Sequence, residues 1–422
     1  MKELIAKAPR ITRCRVCGGA DLSSCQDLGA QYLSSIFPSD LGYRGELMKY
    51  PLELVLCRKT AECGLLQLAH EMDLSDMYAA YPYTSSSNSS MKAILRDVAD
   101  SGKALKNLSA GDLILDIGAN DGTLLSFFDE SGCDLLGIDA AQNIVPVFTS
   151  PRLRMVKNFF GKAVFDRASP RPAKLIFSIA MFYHLSDPVA FCRDVAACLA
   201  DDGAWIVQMA YLPAMLETNM YDNVVHEHAG YYGIETMQRV LERAGLEIFD
   251  VSLNDVYGGS FRLFIQKKGS AKFPKTARYA DLLAREREQA IFDPTTYRAY
   301  DARVRKTRDD LTALVRRLKS EGREIWAYGA STKGNTIMQY CGITGRDVTA
   351  AADANPFKIG KYIIGSDIPI RDEESMRQAK PDYLLALPYS FVDGFIKREE
   401  ALVRGGARFI VPLPRVELRP VK

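Results

Sequence analysis

The chain has 422 residues, enough for two or three domains with buried cores, and its 47% hydrophobic and 25% charged content is that of an ordinary globular protein. Lys and Arg number 54 against 52 Asp and Glu, so the formal net charge of +2 excludes a polyelectrolyte and gives no reason to expect a nucleic-acid partner. No apolar run is long enough to span a bilayer, and the opening MKELIAKAPRITRC lacks an apolar signal-peptide core; a cytoplasmic protein without a membrane partner is expected.

Residues 1 to 75 are short apolar runs and turns, which suggests a small irregular or β-rich module. In a reducing compartment the nine cysteines are a poor disulfide framework, so closely spaced ones are candidate metal ligands. Cys14-Arg-Val-Cys17-Gly has the tight spacing of a metal knuckle, and a second pair, Cys57 and Cys63, follows with five residues between them. Four thiolates would close a structural Zn2+ site that folds a module too small for its own core. The wide second pair loosens the geometry and leaves Cys25 as a substitute ligand, and four reduced, buried thiols are the plainer alternative.

A lead-in over 76 to 108 begins with the run YAAYPYTSSSNSSM, Tyr78 to Met91. Its serines fit a flexible linker, whereas three tyrosines in six residues do not. From 109 to 268, apolar strands (DLILDI, DLLGID, AKLIFSIA, AWIVQMA, SFRLFIQ) alternate with amphipathic helices, the pattern of a doubly wound α/β domain. Leu113-Ile-Leu-Asp-Ile-Gly-Ala-Asn-Asp-Gly-Thr123 reads as a buried strand, a glycine turn and a helix start. Gly118 lets the backbone pass close under a ligand, Gly122 allows tight helix–strand contact, and Asp116 can accept from a ligand amine. Asp139, ending a second strand, suits a ribose diol. Asn120, Ala140 and Ala180 complete the candidate cofactor edge. Asp116 and Asp121 would repel a pyrophosphate and welcome a sulfonium and an ammonium, which favours S-adenosylmethionine over a dinucleotide.

Three of the four histidines follow this motif: His184 in FYHLSDP, and His226 and His228 in VHEH. Both segments are expected in loops over the carboxyl edge of the sheet, where such domains place their ligands. The H-E-H spacing is not that of a zinc peptidase, because residues two apart on a helix face different ways. Imidazole with a neighbouring carboxylate, Glu227, suits proton abstraction; a solvated loop is the alternative. Residues 269 to 320 form a helical connection, the glycine-free 276 to 320 reading as a long surface helix or helix pair. Residues 321 to 422 form a second Rossmann-like unit with strands at EIWAYG, DVTAAAD, DYLLAL and ARFIVP. Its turn YGASTKGN offers Tyr328 and Lys333, the latter as a diphosphate contact at a helix N-terminus, against the alternative of a surface lysine.

Taken together, LDIGANDGTLL, YPYTSS, YHLSDP, VVHEHAGYY, VYGGSFRLF, YGASTKGN and DANPFKIGKYIIGSDIPI resemble the nucleotide-sugar C-methyltransferases of deoxysugar biosynthesis over nearly the whole chain. The resemblance implies a zinc-binding N-terminal module with Cys14, Cys17, Cys57 and Cys63, a class I S-adenosylmethionine-binding domain, and a C-terminal Rossmann-like domain. It implies a nucleoside-diphosphate 4-keto-6-deoxy sugar as substrate. His228 would remove the C3 proton, Glu227 would orient or assist it, and His184 would sit near the sugar ring. Tyr83 or Tyr81 would hydrogen-bond the sugar, and Ser86 would share this substrate-facing segment. Self-association is expected to be weak or absent. Three positions depart from the family: Val225 stands where a tyrosine is usual, Gln208 where a glutamate is usual, and the second cysteine pair is wider. The first bears on the ring contacts, the second on the cofactor edge and the third on one zinc ligand. An O- or N-methyltransferase of another small molecule, a zinc-bearing RNA methyltransferase and a non-catalytic sugar-nucleotide-binding protein are the other readings. The near-neutral charge speaks against RNA, and the intact glycine turn speaks against a non-catalytic protein.

Overall fold

The computed structural model describes residues 8–72, 83–87 and 89–420. Tyr81 lies outside them. The N-terminal strands β1 (Leu22–Gln31), β2 (Tyr50–Cys57) and β3 (Leu66–Leu68) form an antiparallel ribbon. It is completed from an unexpected place. Strand β9 (Gly230–Tyr231), directly after the H-E-H loop, pairs with β3 in the order β1-β2-β3-β9.

The central sheet comprises β4 (Leu113–Ile117), β5 (Asp134–Asp139), β6 (Leu153–Lys157), β7 (Ala173–Ile179), β8 (Leu199–Ala210), β10 (Leu246–Asn254) and β11 (Ser260–Lys267). Its order is β10-β11-β8-β7-β4-β5-β6, and β11 alone runs against the others. Every residue of β4 is buried, as expected of a central strand covered on both faces. The chain leaves β4 for β5 and β6 on one side and returns to β7 on the other. The crevice beyond the carboxyl ends of β4 and β7 is therefore the place where an open α/β sheet binds its ligand. Strands β6 and β10 carry less distinctive sequence signals and go unread from the sequence: β6 is only half-buried and β10 mixes buried with exposed positions.

Two helices make the connection read as a pair, α1 (Ala277–Glu288) and α2 (Pro294–Ser320). Asp293 caps α2 through the Thr295 amide at 2.8 Å, and Pro294 occupies the first turn, where its missing N–H costs nothing. α2 is not a surface helix. Tyr297, Tyr300, Val304, Leu311, Val315 and Leu318 form a buried stripe in one cluster with Leu54 and Leu56 of the N-terminal sheet. Truncating one such leucine to alanine costs about 2–5 kcal/mol. The same cluster reaches Ile325 and Ala327 of the C-terminal sheet, so a single core joins the first and last units.

That sheet has the order β14-β15-β13-β12-β16-β17-β18, built from β12 (Ile325–Tyr328), β13 (Ala351–Ala352), β14 (Tyr362–Ile363), β15 (Ile368–Arg371), β16 (Tyr383–Ala386), β17 (Arg408–Val411) and β18 (Glu417–Arg419). Its inner strands β15, β13, β12, β16 and β17 are parallel. The helix α3 (Thr332–Cys341) follows β12, capped by Ser331, whose hydroxyl accepts from the Gly334 amide at 3.0 Å. Among the described residues, no helix is long and apolar enough to cross a membrane.

Candidate active site

A cavity of about 790 Å³ lies over the carboxyl ends of β4, β5, β7 and β8. At one end it is lined by Asp116, Gly118, Asn120, Asp139, Ala140 and Ala180; at the other by His184, Glu227, His228, Tyr257 and Lys333. Tyr83 also lines it. The two groups of residues read from the sequence as cofactor-binding and catalytic thus share one space.

At the first end the turn is held by its own backbone. The Gly118 amide donates to Ile138 O at 2.8 Å, and Gly118 has a φ of +78°, which only glycine adopts cheaply. Asp139 accepts from the amides of Asn120 and Ala141, each at 2.7 Å. Asp116 is buried, and its burial, with Asp139 and Asp121 nearby, pushes its carboxyl up to about 8. A cradle that crowds three carboxylates and leaves one reluctant to ionise suits a ligand carrying positive charge. Asp116 and Asp139 would take the amine and ribose of S-adenosylmethionine.

Two expected cofactor contacts are elsewhere. Asp121 turns from the cavity, accepting from the Thr123 hydroxyl at 2.6 Å and the Ser86 amide at 2.8 Å. Gly122 precedes the short helix Thr123–Ser126 in a left-handed conformation and does not line the cavity. The Tyr/Ser segment is clipped to this turn, because Asn120 Oδ1 also accepts from the Ser85 amide at 2.8 Å and its Nδ2 donates to Tyr83 O at 3.1 Å. That anchoring contradicts a linker. It also replaces Ser86 by Ser85 as the cavity-facing serine.

At the second end the H-E-H loop is buried rather than solvated: His226, Glu227 and His228 are 4%, 7% and 8% exposed. His228 Nδ1 lies 2.8 Å from Asn223 O, and a carbonyl can only accept, so Nδ1 carries the proton and Nε2 is left with its lone pair. The orienting group is thus the Asn223 carbonyl and not Glu227. Burial, with the Lys333 charge and His184 nearby, holds the His228 imidazole well below its usual range. Its ring stacks on His184 at a centroid distance of 5.4 Å, and Tyr183 lies at 4.1 Å. Burial pushes His184 down to about 4. Glu227 is raised by burial, opposed by a Ser35 hydrogen bond. His226 points away, its Nε2 3.1 Å from Tyr50 O, and does not line the cavity.

Lys333 reaches the cavity from α3, but Tyr328 does not. Tyr328 ends β12 on the opposite face of the sheet, where its hydroxyl donates to Glu399 at 2.9 Å and accepts from Arg398 at 2.8 Å. Gln208 is buried behind the cofactor end, accepting from Arg262 Nε at 2.8 Å and Asn254 Nδ2 at 3.2 Å. Residues missed from the sequence include Ser35 and Met72, which carry no local signal, and Asn223, Tyr183 and Tyr257, which sit beside motifs already noted.

The sulfur atoms of Cys14, Cys17, Cys57 and Cys63 lie within 4.8 Å of one another. The six-residue step from Cys57 to Cys63 closes because the Cys63 amide bonds back to Lys59 O at 2.8 Å in a turn. Amides of Val16 and Gly19 point at Cys14 and Cys17 sulfurs at 3.5 and 3.4 Å, as in a thiolate knuckle. Four converging thiols fit a tetrahedral zinc with no open position. Cys25 is outside this group, near Ser23 O at 3.5 Å.

Family models match three consecutive stretches: a zinc binding domain over 14–78, a methyltransferase domain over 91–251 and a C-methyltransferase C-terminal domain over 255–414. The C-methyltransferase NovU of Streptomyces niveus is 31% identical over 406 residues, covering 96% of this chain and 96% of that protein. Among solved structures, an S-adenosylmethionine dependent methyltransferase from Listeria monocytogenes is 14% identical, covering 41% of this chain and 99% of its own, with a TM-score of 0.33. The magnesium protoporphyrin IX methyltransferase of Synechocystis, solved with S-adenosylmethionine bound, is 14% identical, covering 42% and 79%, with a TM-score of 0.32. Scores this low add nothing to the reading of the site.

Proposed function

The chain belongs to the C-methyltransferase family, and from that premise we propose that it methylates C3 of a nucleoside-diphosphate 4-keto-6-deoxy sugar. It is an S-adenosylmethionine-dependent methyltransferase with a structural zinc. The observation that carries the finer reading is the tautomer of His228: Nδ1–H is engaged by Asn223 O, so the free lone pair on Nε2 belongs to a group lining the cavity. A neutral imidazole with a free lone pair is able to take a proton, and carbon methylation beside a ketone needs one removed.

In this reading His228 Nε2 takes the C3 proton, and the C–H electron pair moves toward the C4 carbonyl to give an enolate. The cofactor supplies an electrophilic methyl group. Bound at Asp116 and Asp139, it would offer that methyl to the enolate carbon, and His228 would then return its proton to solvent. Tyr83 and His184 line the same cavity and are suited to hold the sugar hydroxyls. Asp116 and Asp139 fix the amine and ribose of the cofactor.

The test has two steps. Melting curves with deoxythymidine, guanosine and cytidine diphosphates select the nucleotide, because a ligand bound only by the native state raises its stability. The matching 4-keto-6-deoxy sugar is then incubated with S-adenosylmethionine and the product examined by carbon NMR. A methyl group bonded to C3 is expected; an O-methyl product, or no turnover with any of the three sugars, would refute the proposal.

A further inference from the structure

Lys333 contributes the one cationic side chain among the described residues that line the cavity. Its position is built by three consecutive residues, each with a separate task. Gly334 lets α3 close on the sheet: a Cβ there would lie 2.4 Å from Leu387 Cβ. Asn335 is buried and donates to Ser34 O at 3.2 Å, tying α3 to the N-terminal loop whose Ser35 also lines the cavity. Lys333 itself extends over the ring of Tyr257, its Nζ 5.8 Å from the centroid. Tyr257 is held at a φ of +57°, a conformation costly for a bulky residue, and this turn presents its ring to the cavity.

A counter-charge sits behind. Asp222 is 2% exposed, does not line the cavity, and accepts from the Tyr389 hydroxyl at 3.2 Å. Burial lowers Lys333 and raises Asp222, and each charge opposes the shift of the other. The Lys333 charge is also felt at His228. An ammonium held by an aromatic face and a rear carboxylate, facing a neutral base, suits negative charge created by that base.

We propose that Lys333 is the catalytic cation of the reaction, its ammonium facing the C4 oxygen and stabilising the enolate as the C3 proton passes to His228 Nε2. This rests on the keto-sugar reading above. The proton goes to His228, the electron pair to the carbonyl oxygen, and Lys333 keeps its own protons throughout. Asp222 and Tyr257 are positioning residues that act through it.

The experiment compares wild type with Lys333→Met and Lys333→Arg, using the 4-keto-6-deoxy sugar nucleotide selected by the melting screen. It reads kcat, KM, solvent deuterium entering C3 with S-adenosylhomocysteine in place of the cofactor, and the Kd of the nucleoside diphosphate alone. Loss of an oxyanion-stabilising group typically lowers kcat by about 10²–10³-fold. Lys333→Met is expected to lose kcat and deuterium exchange together on that scale, with the diphosphate Kd unchanged and Lys333→Arg retaining part of both. A raised diphosphate Kd with exchange within about threefold of wild type would overturn the proposal and return Lys333 to the diphosphate, since a contact common to ground and transition state affects binding and not kcat. If Lys333→Met does not fold, Lys333→Gln carries the same comparison. Absence of exchange in the wild type would instead sink the enolate reading itself, and with it this role.

Discussion

The chemistry of His228 is set by the hydrogen bond at its Nδ1. The bond from Nδ1 to Asn223 O sets the tautomer, and burial keeps the ring neutral. A histidine whose pKa is lowered in the folded enzyme stays in its working, unprotonated form as pH drops through the usual imidazole range, and activity falls only below it. The expected outcome is a kcat/KM that is flat between pH 7 and pH 6, with the acid limb below the ordinary value of about 6.5. A limb centred at or above that value, measured over the same pH range in stopped assays, would show that His228 is not the titrating base. The H-E-H run alone marked a histidine cluster, and it was the family resemblance that singled out His228, the member of the run that lines the cavity where His226 does not. That difference depends on Tyr50 O and Asn223 O, backbone groups with no sequence signature. Val225, 3% exposed and lining the cavity, puts an apolar wall beside the H-E-H loop.

The segment β12–turn–α3 shows how neighbours in sequence part company in space. Ile325 and Ala327 pack in the cluster shared with the N-terminal sheet, whereas Trp326 and Tyr328 pack on the opposite face. The period of two along a strand therefore sends Tyr328 away from the cavity that Lys333 enters five residues later. Gly334 carries a different consequence. Gly334→Ala places a methyl against Leu387, which the packed sheet can relieve only by moving α3. Over-packing of this kind costs about 1–3 kcal/mol. The variant should melt at a lower temperature and lose kcat while its cofactor Kd, read by calorimetry, stays at the wild-type value, since α3 lines only the second end of the cavity. An unchanged kcat in a folded Gly334→Ala enzyme would disconnect α3 from the chemistry.

At the scale of the molecule, the cavity is assembled from all three segments of the chain: Ser35 and Met72 from the first, the sheet edge and H-E-H loop from the second, Thr332 and Lys333 from the last. The central strand–turn–helix and the alternating strands were legible because they are local and strongly patterned. The closure of the N-terminal sheet by Gly230–Tyr231 was not, since a two-residue strand has no period of its own. Yet that pairing joins the loop bearing His228 to the sheet of the zinc-binding module. On the proposed reading, this assembly makes a carbanion before it moves a methyl group. Solvent deuterium incorporation at C3 of the keto-sugar nucleotide, followed by NMR with S-adenosylhomocysteine bound, tests it directly. Wild type should exchange the C3 proton and His228→Asn should not, with cofactor affinity equal in both. Exchange that persists in His228→Asn, or never occurs in the wild type, would contradict the account.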